Sequence, residues 1–120
     1  MPTAVAVVAT EASTRERLAA LIPSDGFDVT LCAPENVPAS QTELFIIALP
    51  GLETPEEQLI ERLRADEATA STPIIIASAL PMVQLQSVPY AADWTIAVVE
   101  EPVSASVLAD TIKFLLNPDP

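Results

Sequence analysis

The sequence predicts an α/β domain whose five parallel strands alternate with helices. Five short apolar runs rich in β-branched residues recur along the chain, each about the length of one strand. Three of them are almost continuously hydrophobic, as parallel strands covered on both faces require. Helix start and stop signals lie between the runs. The chain has 120 residues, 50% of them apolar, which predicts a single domain over 1–120.

The predicted strands cover residues 4–9, 27–33, 44–49, 74–79 and 95–99. The first, third and fourth are the continuously apolar runs and are predicted to lie in the interior of the sheet. In the second run Asp28 and Thr30 separate apolar residues, which predicts an edge strand. Cys32, in the same run, is predicted to be a small buried hydrophobic residue.

The first helix is predicted to begin at Ser13. Ser13 and Glu16 have the spacing of a capping box, in which each side chain accepts a hydrogen bond from the backbone of the other residue. Leu18, Leu21 and Ile22 then fall on one face, which is predicted to be buried. The proline and glycine that follow end this helix.

The second long helix is predicted to begin at Thr54, with proline at the first helical position and glutamate at the third. Its buried stripe consists of Leu59, Ile60 and Leu63. Its charged residues, including the acidic cluster of Glu53, Glu56, Glu57 and Glu61, are predicted to form a solvated face, and docking of a basic partner there is an alternative.

The C-terminal helix is predicted to be capped by Ser104 or Ser106 and to end at Pro118. Its predicted buried stripe is Val107, Leu108, Thr111, Ile112 and Leu115. Two connections are weaker: residues 33–42 have room for only a short turn of helix, and residues 81–89 allow about two turns.

Composition excludes several classes of function. Five basic residues against 17 acidic ones give a formal charge of −12, which argues against nucleic acid as a partner. There is no histidine, one cysteine and two isolated glycines, so histidine-based catalysis, a disulfide and a glycine-rich phosphate loop are not expected. No apolar run is long enough to span a membrane, and the N-terminus does not look like a signal peptide. We therefore expect a cytoplasmic protein without a cofactor.

Parallel sheets bind their ligands at the carboxyl ends of the strands. In this chain the residues at those ends are Ala9, Thr10, Glu11, Ala48, Ser78 and Glu101. The continuous stretch that links three of them, from Ala48 past a helix ending at Asp66 to Ser78, is the most specific pattern in the chain.

These residues resemble the pattern of the receiver domain of bacterial response regulators, the CheY-like family. The resemblance covers nearly the whole chain, through residues 8–15, 44–48, 62–66, 72–79 and the pair Glu101-Pro102. It implies a flavodoxin-like three-layer sandwich with strand order 2-1-3-4-5 and helices on both faces. The second helix of that fold is short or missing here, because residues 33–42 are too few.

The residues that perform phosphotransfer in the family are replaced. The family's acidic pair falls on Ala9 and Thr10, its phospho-accepting aspartate on Ala48, and its lysine on Glu101; only Ser78 matches. The resemblance therefore implies a pseudo-receiver with no aspartyl-phosphate and no Mg²⁺ site, because alanine supplies neither a nucleophile nor a metal ligand.

Three functions follow as hypotheses. The first is a non-enzymatic, non-phosphorylatable module that binds protein partners or forms a homodimer. The second is a small-molecule binding domain that uses the same crevice. The third is an enzyme or metal site built on Glu11 and Glu101. A structural alternative is that Thr10 and Ser78 donate hydrogen bonds to Glu101 and close the pocket.

Two aromatic residues, Tyr90 and Trp94, precede the last predicted strand. Tyrosine and tryptophan dominate interface hot spots, so these two residues, with Val98 and Pro102, form a candidate partner surface. The alternative is that both aromatic rings pack under the helix predicted over residues 81–89.

Overall fold

A computed structural model describes residues 3–22, 26–37, 41–51, 53–80, 95–101 and 103–116. Its strands form one parallel five-stranded sheet in the order β2-β1-β3-β4-β5. The strands are β1 (Thr3–Val8), β2 (Phe27–Cys32), β3 (Leu44–Ala48), β4 (Ile74–Ser78) and β5 (Ile96–Glu100). The predicted α/β class, the strand order and the flavodoxin-like architecture are confirmed.

Helices cover both faces of the sheet. On one face lie α1 (Ala12–Ala19) and α3 (Ala105–Leu116), and on the other lie α2 (Pro55–Ala65) and a 3₁₀ turn, Pro34–Asn36. This turn lies at the start of the connection where the second helix was predicted to be short or missing, and residues 38–40 of that connection lie outside the described residues. None of the described helices is long and apolar enough to cross a membrane.

Successive side chains of each interior strand point to opposite faces of the sheet and so contribute to two hydrophobic cores. In β1, Val5 and Val7 pack against α1 and α3, whereas Ala6 and Val8 pack against α2. All five residues of β3 and of β4 are buried, which is why their sequences are continuously apolar. The carboxyl ends of these strands are therefore held rigidly at one edge of the sheet.

The edge position of β2 explains its mixed sequence. Asp28 and Thr30 lie beside Ala4 and Ala6 in register, and both are exposed. They point to the face of the sheet that the shortened second helix leaves open. Polar side chains there avoid an exposed apolar strip on an edge strand.

Two of the three predicted helix starts are confirmed. The Thr54 hydroxyl accepts from the Glu57 amide at 3.3 Å, while the Glu57 carboxylate accepts from the Glu53 amide at 2.8 Å. At α3, the hydroxyl of Ser104 accepts from the Val107 amide at 3.2 Å.

The predicted start of α1 at Ser13 is wrong. The helix begins at Ala12 after Glu11, whose backbone is extended and whose side chain makes no capping bond. Because only three residues separate the end of β1 from this helix, the chain turns before it reaches Ser13. Ser13 and Glu16 lie exposed within the helix, whereas Leu18 and Ile22 are buried as predicted.

Two predictions of exposure are wrong as well. Val107 was expected in the buried stripe of α3 but is 48% exposed; Leu108 and Ile112 carry the contact with the core. Glu56 and Glu57 were expected in solvent but are buried, because the first turn of α2 begins against the strand ends. The predicted helix over 81–89 and the end of α3 at Pro118 lie outside the described residues.

Candidate functional site

A cleft of about 340 Å³ opens at the carboxyl edge of the sheet. It brings together the ends of β1 and β3 and the starts of α1 and α2. Its lining residues are Ala9, Thr10, Glu11, Thr14, Ala48, Pro50, Thr54, Pro55 and Glu56. A second cleft of about 220 Å³ lies beside it, shares Thr14, Ala48 and Pro50, and reaches Glu101. Five of the six residues singled out at the strand ends, all except Ser78, line these two neighbouring clefts.

The inner wall of the first cleft is apolar. Ala9 is 2% exposed and Ala48 is 6% exposed, so each presents only a methyl group. The main chain at Ala9 is fixed by its neighbours: its amide donates to the Cys32 carbonyl at 3.3 Å, and its carbonyl accepts from the Arg15 guanidinium at 2.6 Å. This wall therefore offers no side-chain oxygen.

Glu56 supplies a carboxylate from the opposite side of the cleft. Its Oε2 accepts from the Thr10 hydroxyl at 2.8 Å and from the Thr10 amide at 3.2 Å, and the residue is only 2% exposed. The sequence assigned Glu56 to a solvated face, and nothing in its spacing indicated a contact with Thr10. The two residues are 46 positions apart and meet only because α2 starts beside the end of β1.

The Ser78 hydroxyl, at the end of β4, has both a hydrogen-bond acceptor and a hydrogen-bond donor as partners. It is 1% exposed, donates to the Leu49 carbonyl at 2.8 Å and accepts from the Leu80 amide at 3.1 Å. The first bond ties the ends of β3 and β4 together, and the second fixes the chain directly after β4. The hydroxyl therefore stabilises the backbone at Leu49 and Leu80, two residues that line the second cleft.

Glu101 forms a bidentate ion pair with Arg17. The two guanidinium-to-carboxylate distances are 2.6 and 3.1 Å. The pair joins α1 to the loop that follows β5, and the Glu101 side chain is 17% exposed against 47% for Arg17. The hydrogen bond to Glu101 raises the pKa of Arg17 above its ordinary value.

Two proposed arrangements of the pocket are therefore wrong. Thr10 donates to Glu56 and Ser78 donates to Leu49, so neither donates to Glu101. The Glu101 carboxylate is occupied by Arg17, while Glu11 lines the other cleft, so they do not form a paired acid site. The physical reason is competition: a guanidinium binds a carboxylate through two charge-assisted hydrogen bonds, which a single neutral hydroxyl does not match.

Mg²⁺ does not fit the donors that occupy the receiver-like positions. Magnesium requires hard oxygen ligands, usually carboxylates. Ala9 and Ala48 have none, and the Thr10 hydroxyl is already bonded to Glu56. Across the described ranges, no group of three or more histidine, cysteine or acidic residues is placed to hold a metal ion.

Cys32 lies at the end of β2, 8% exposed, with its Sγ 3.8 Å from the Val7 carbonyl. Burial raises the pKa of its thiol, and the charge of Arg15 opposes this shift. The prediction of a small buried hydrophobic residue is confirmed.

Of the candidate partner surface, the structure describes only Val98, which is half-buried and packs against the core on the α2 side. Tyr90, Trp94 and Pro102 lie outside the described residues. Sequence reasoning missed a different apolar feature: Phe114 is 67% exposed and Val107 is 48% exposed on α3. Their spacing of seven residues, two helical turns, places them on one face and was the available signal.

Solved structures similar to this chain cover almost its full length. The signal receiver domain of a signal transduction histidine kinase from Syntrophus aciditrophicus is 19% identical, with a TM-score of 0.78, over 97% of this chain and 91% of that one. A sensor protein from Polaromonas sp. JS666 is 16% identical, with a TM-score of 0.79, over 97% of each chain. The phosphorylated cyanobacterial phytochrome response regulator RcpA is 10% identical, with a TM-score of 0.71, over 100% of this chain and 98% of that one.

The chain has the CheY-like receiver fold. Its structural neighbours include receiver domains of response regulators. No protein-family model and no curated protein sequence matches the chain. The receiver fold places the carboxyl ends of β1, β3, β4 and β5 around the clefts described above, so the identity of the residues at those ends decides the chemistry.

Proposed function

We propose that this chain is a pseudo-receiver: it keeps the receiver fold, does not accept a phosphoryl group, and acts by binding protein partners or a second copy of itself. The observation that carries the proposal is Ala48 at the carboxyl end of β3. The resemblance implies an aspartate nucleophile at this position, and a methyl group cannot attack phosphorus. A non-enzymatic role is part of the same proposal.

The residues around Ala48 support the proposal. Ala9 and Thr10 replace the acidic pair that the resemblance implies, so the carboxylate set for Mg²⁺ is missing at these positions. Glu101 stands where the resemblance implies a lysine, and its negative charge is held in place by Arg17. A phosphoryl dianion would meet a carboxylate where it needs a cation.

Treatment with acetyl phosphate and Mg²⁺ tests this proposal. We expect no mass increase by a phosphoryl group, and no change in amide chemical shifts at the strand ends with beryllofluoride and Mg²⁺. Millimolar Mg²⁺ alone is expected to leave the melting temperature unchanged. A stoichiometric aspartyl phosphate on the wild-type chain refutes the proposal.

A matched variant restores the residue types that the resemblance implies. It combines Ala9→Asp, Thr10→Asp, Ala48→Asp and Glu101→Lys. We expect this variant to respond to Mg²⁺ and beryllofluoride where the wild type does not. Its response shows that the assay detects a competent site on this fold.

The partner-binding role is supported by the exposed apolar residues of α3. Phe114 and Val107 leave a large part of their side chains in water on one helix face, a feature of interaction surfaces. We propose that this face contacts a protein in the cytoplasm. The charge of −12 makes nucleic acid an unfavourable partner, and no contact with a membrane is proposed.

Sedimentation equilibrium at increasing protein concentration tests self-association. If the α3 face joins two copies, Phe114→Glu shifts the equilibrium towards monomer, whereas Glu61→Lys on the exposed side of α2 does not. A wild-type chain that stays monomeric at about 1 mM rules out the homodimer.

A second candidate function is small-molecule binding without catalysis. The 340 Å³ cleft, which exists because Ala9 and Ala48 are small, favours it. A thermal-shift screen of nucleotides and metabolites tests it: a ligand that raises the melting temperature of the wild type but not of a cleft variant such as Ala48→Leu supports it.

A further inference from the structure

The carboxylate of Glu56 is buried, and no side-chain cation of the described residues is paired with it. All five lysine and arginine residues of the chain lie in its described part, and Glu56 forms an ion pair with none of them. Glutamate is almost never fully buried unless it is paired. Two hydrogen bonds from Thr10 and the amino end of α2 hold this carboxylate in place, but none of them carries a full positive charge.

The cleft beside Glu56 has both a charged and an apolar part. Its wall of Ala9, Ala48, Pro50 and Pro55 is suited to hydrocarbon, whereas Glu11 places a second carboxylate at the exposed rim. A bare divalent ion would lose water against this wall and gain few oxygen ligands. An organic cation would place its charge at the carboxylate and its alkyl carbons against the methyl groups and proline rings.

We propose that this cleft binds an alkylammonium or guanidinium group, anchored by Glu56 and assisted by Glu11. The group belongs either to a small free amine or to a lysine or arginine side chain of a protein partner. About 340 Å³ is at the small end of ligand pockets and suits one extended side chain or a ligand of that size. The inference rests on the proposed function, since an occupied Mg²⁺ site would take the same space.

The rest of the molecule favours such a ligand. The net charge of −12 raises the local concentration of cations around the chain. The guanidinium of Arg15, on the neighbouring helix α1, donates to the carbonyls of Ala9 and Thr10 at 2.6 and 3.3 Å. Because Arg15 donates to these backbone carbonyls, it forms no ion pair with the Glu56 carboxylate.

Titration of the 120-residue chain, followed by amide chemical shifts, tests the proposal. The probes are n-butylammonium and ethylguanidinium, with n-butanol as the uncharged analogue. We expect dissociation constants of about 1–10 mM, with shifts at Thr10, Ala48 and Glu56 and none of comparable size with n-butanol.

Matched variants distinguish binding at the cleft from non-specific attraction of cations to the negatively charged protein. Glu56→Gln keeps an acceptor for Thr10 but removes the charge, and is expected to weaken binding by about tenfold. Glu11→Gln, at an exposed position that carries no folding risk, is expected to weaken it by about two- to threefold. Glu61→Gln removes the same charge from the exposed side of α2 and is expected to change nothing.

A second titration distinguishes a free amine from the side chain of a protein partner as the source of the cation. An acetylated Gly-Lys-Gly amide is compared with its norleucine analogue and with n-butylammonium. Tighter binding of the lysine peptide indicates a partner's side chain, and tighter binding of n-butylammonium indicates a free amine.

Two results overturn the inference: no saturable shift with any cation, or equal binding by the wild type and Glu56→Gln. Failure of the proposed function would look different, because Mg²⁺ with beryllofluoride would then perturb the strand ends of the wild type.

Discussion

Replacing Glu101 with lysine tests whether the Arg17–Glu101 pair stabilises the fold. The variant restores the residue type that the receiver resemblance implies at this position, but in this chain it places a second cation against Arg17. The bidentate pair connects α1 to the loop after β5 at 2.6 and 3.1 Å. We therefore expect Glu101→Lys to destabilise the protein rather than to repair it.

The magnitude follows from exposure. Arg17 is 47% exposed, so the pair belongs with surface ion pairs, which contribute about 0.5–1 kcal/mol. Repulsion between the new lysine and Arg17 adds less than about 1 kcal/mol, because both side chains can turn into water. The expected loss is about 1–1.5 kcal/mol. For a domain of this size that lowers the melting temperature by about 4–6 °C.

Thermal and urea unfolding of a double-mutant cycle measure this effect. Arg17→Glu combined with Glu101→Lys reverses the pair and is expected to recover most of the loss. Glu100→Lys is the matched control: it changes the net charge equally at an exposed neighbouring position that forms no ion pair within the described part of the chain. At about 1 M salt the loss shrinks, since the screening length falls to about 3 Å.

The reasoning is refuted if Glu101→Lys and Glu100→Lys unfold at the same temperature. It also fails if the doubly reversed variant is no more stable than Glu101→Lys alone.

Three further predictions concern the framework of the site. Thr54→Ala removes the cap of α2 and is expected to cost about 1 kcal/mol in urea unfolding, whereas Thr54→Ser retains most of it. Ile112→Ala empties a position that is 1% exposed and is expected to cost about 2–5 kcal/mol, in contrast to Val107→Ala at 48% exposure; equal losses would contradict the assigned orientation of α3. Because burial raises the pKa of Cys32, the native state holds its thiol proton to higher pH than the unfolded state does. Unfolding free energy should therefore fall as pH rises above about 8.5, Cys32→Ala should lack this component, and native Cys32 should be alkylated more slowly than in urea.

Much of the fold could be predicted because the signals are local. Continuous apolar runs identify β1, β3 and β4, and the polar residues of β2 identify an edge strand. The Thr54 cap depends on residues three positions apart, so its spacing is visible in the sequence. The proposed absence of phosphotransfer chemistry likewise depends only on the residue types at the strand ends.

The contacts inside the site could not be predicted because they join distant positions. Arg17 and Glu101 are 84 positions apart, and both are ordinary charged residues in the sequence. The start of α1 was misplaced for a related reason: a capping box at Ser13 is locally plausible, but the short connection from β1 forces the helix to begin at Ala12.

The sequence by itself determined that the chain is an α/β domain with alanine, threonine, alanine and glutamate at the strand ends, because hydrophobic periodicity and residue type are properties of the chain. The tertiary structure decided what those residues do. It buried Glu56 against Thr10, paired Glu101 with Arg17 and left a cleft lined by the methyl groups of Ala9 and Ala48. These contacts depend on how α1 and α2 pack at the carboxyl ends of the strands. There the hydrogen-bond donors compete for each carboxylate, and the geometry decides which donor binds it.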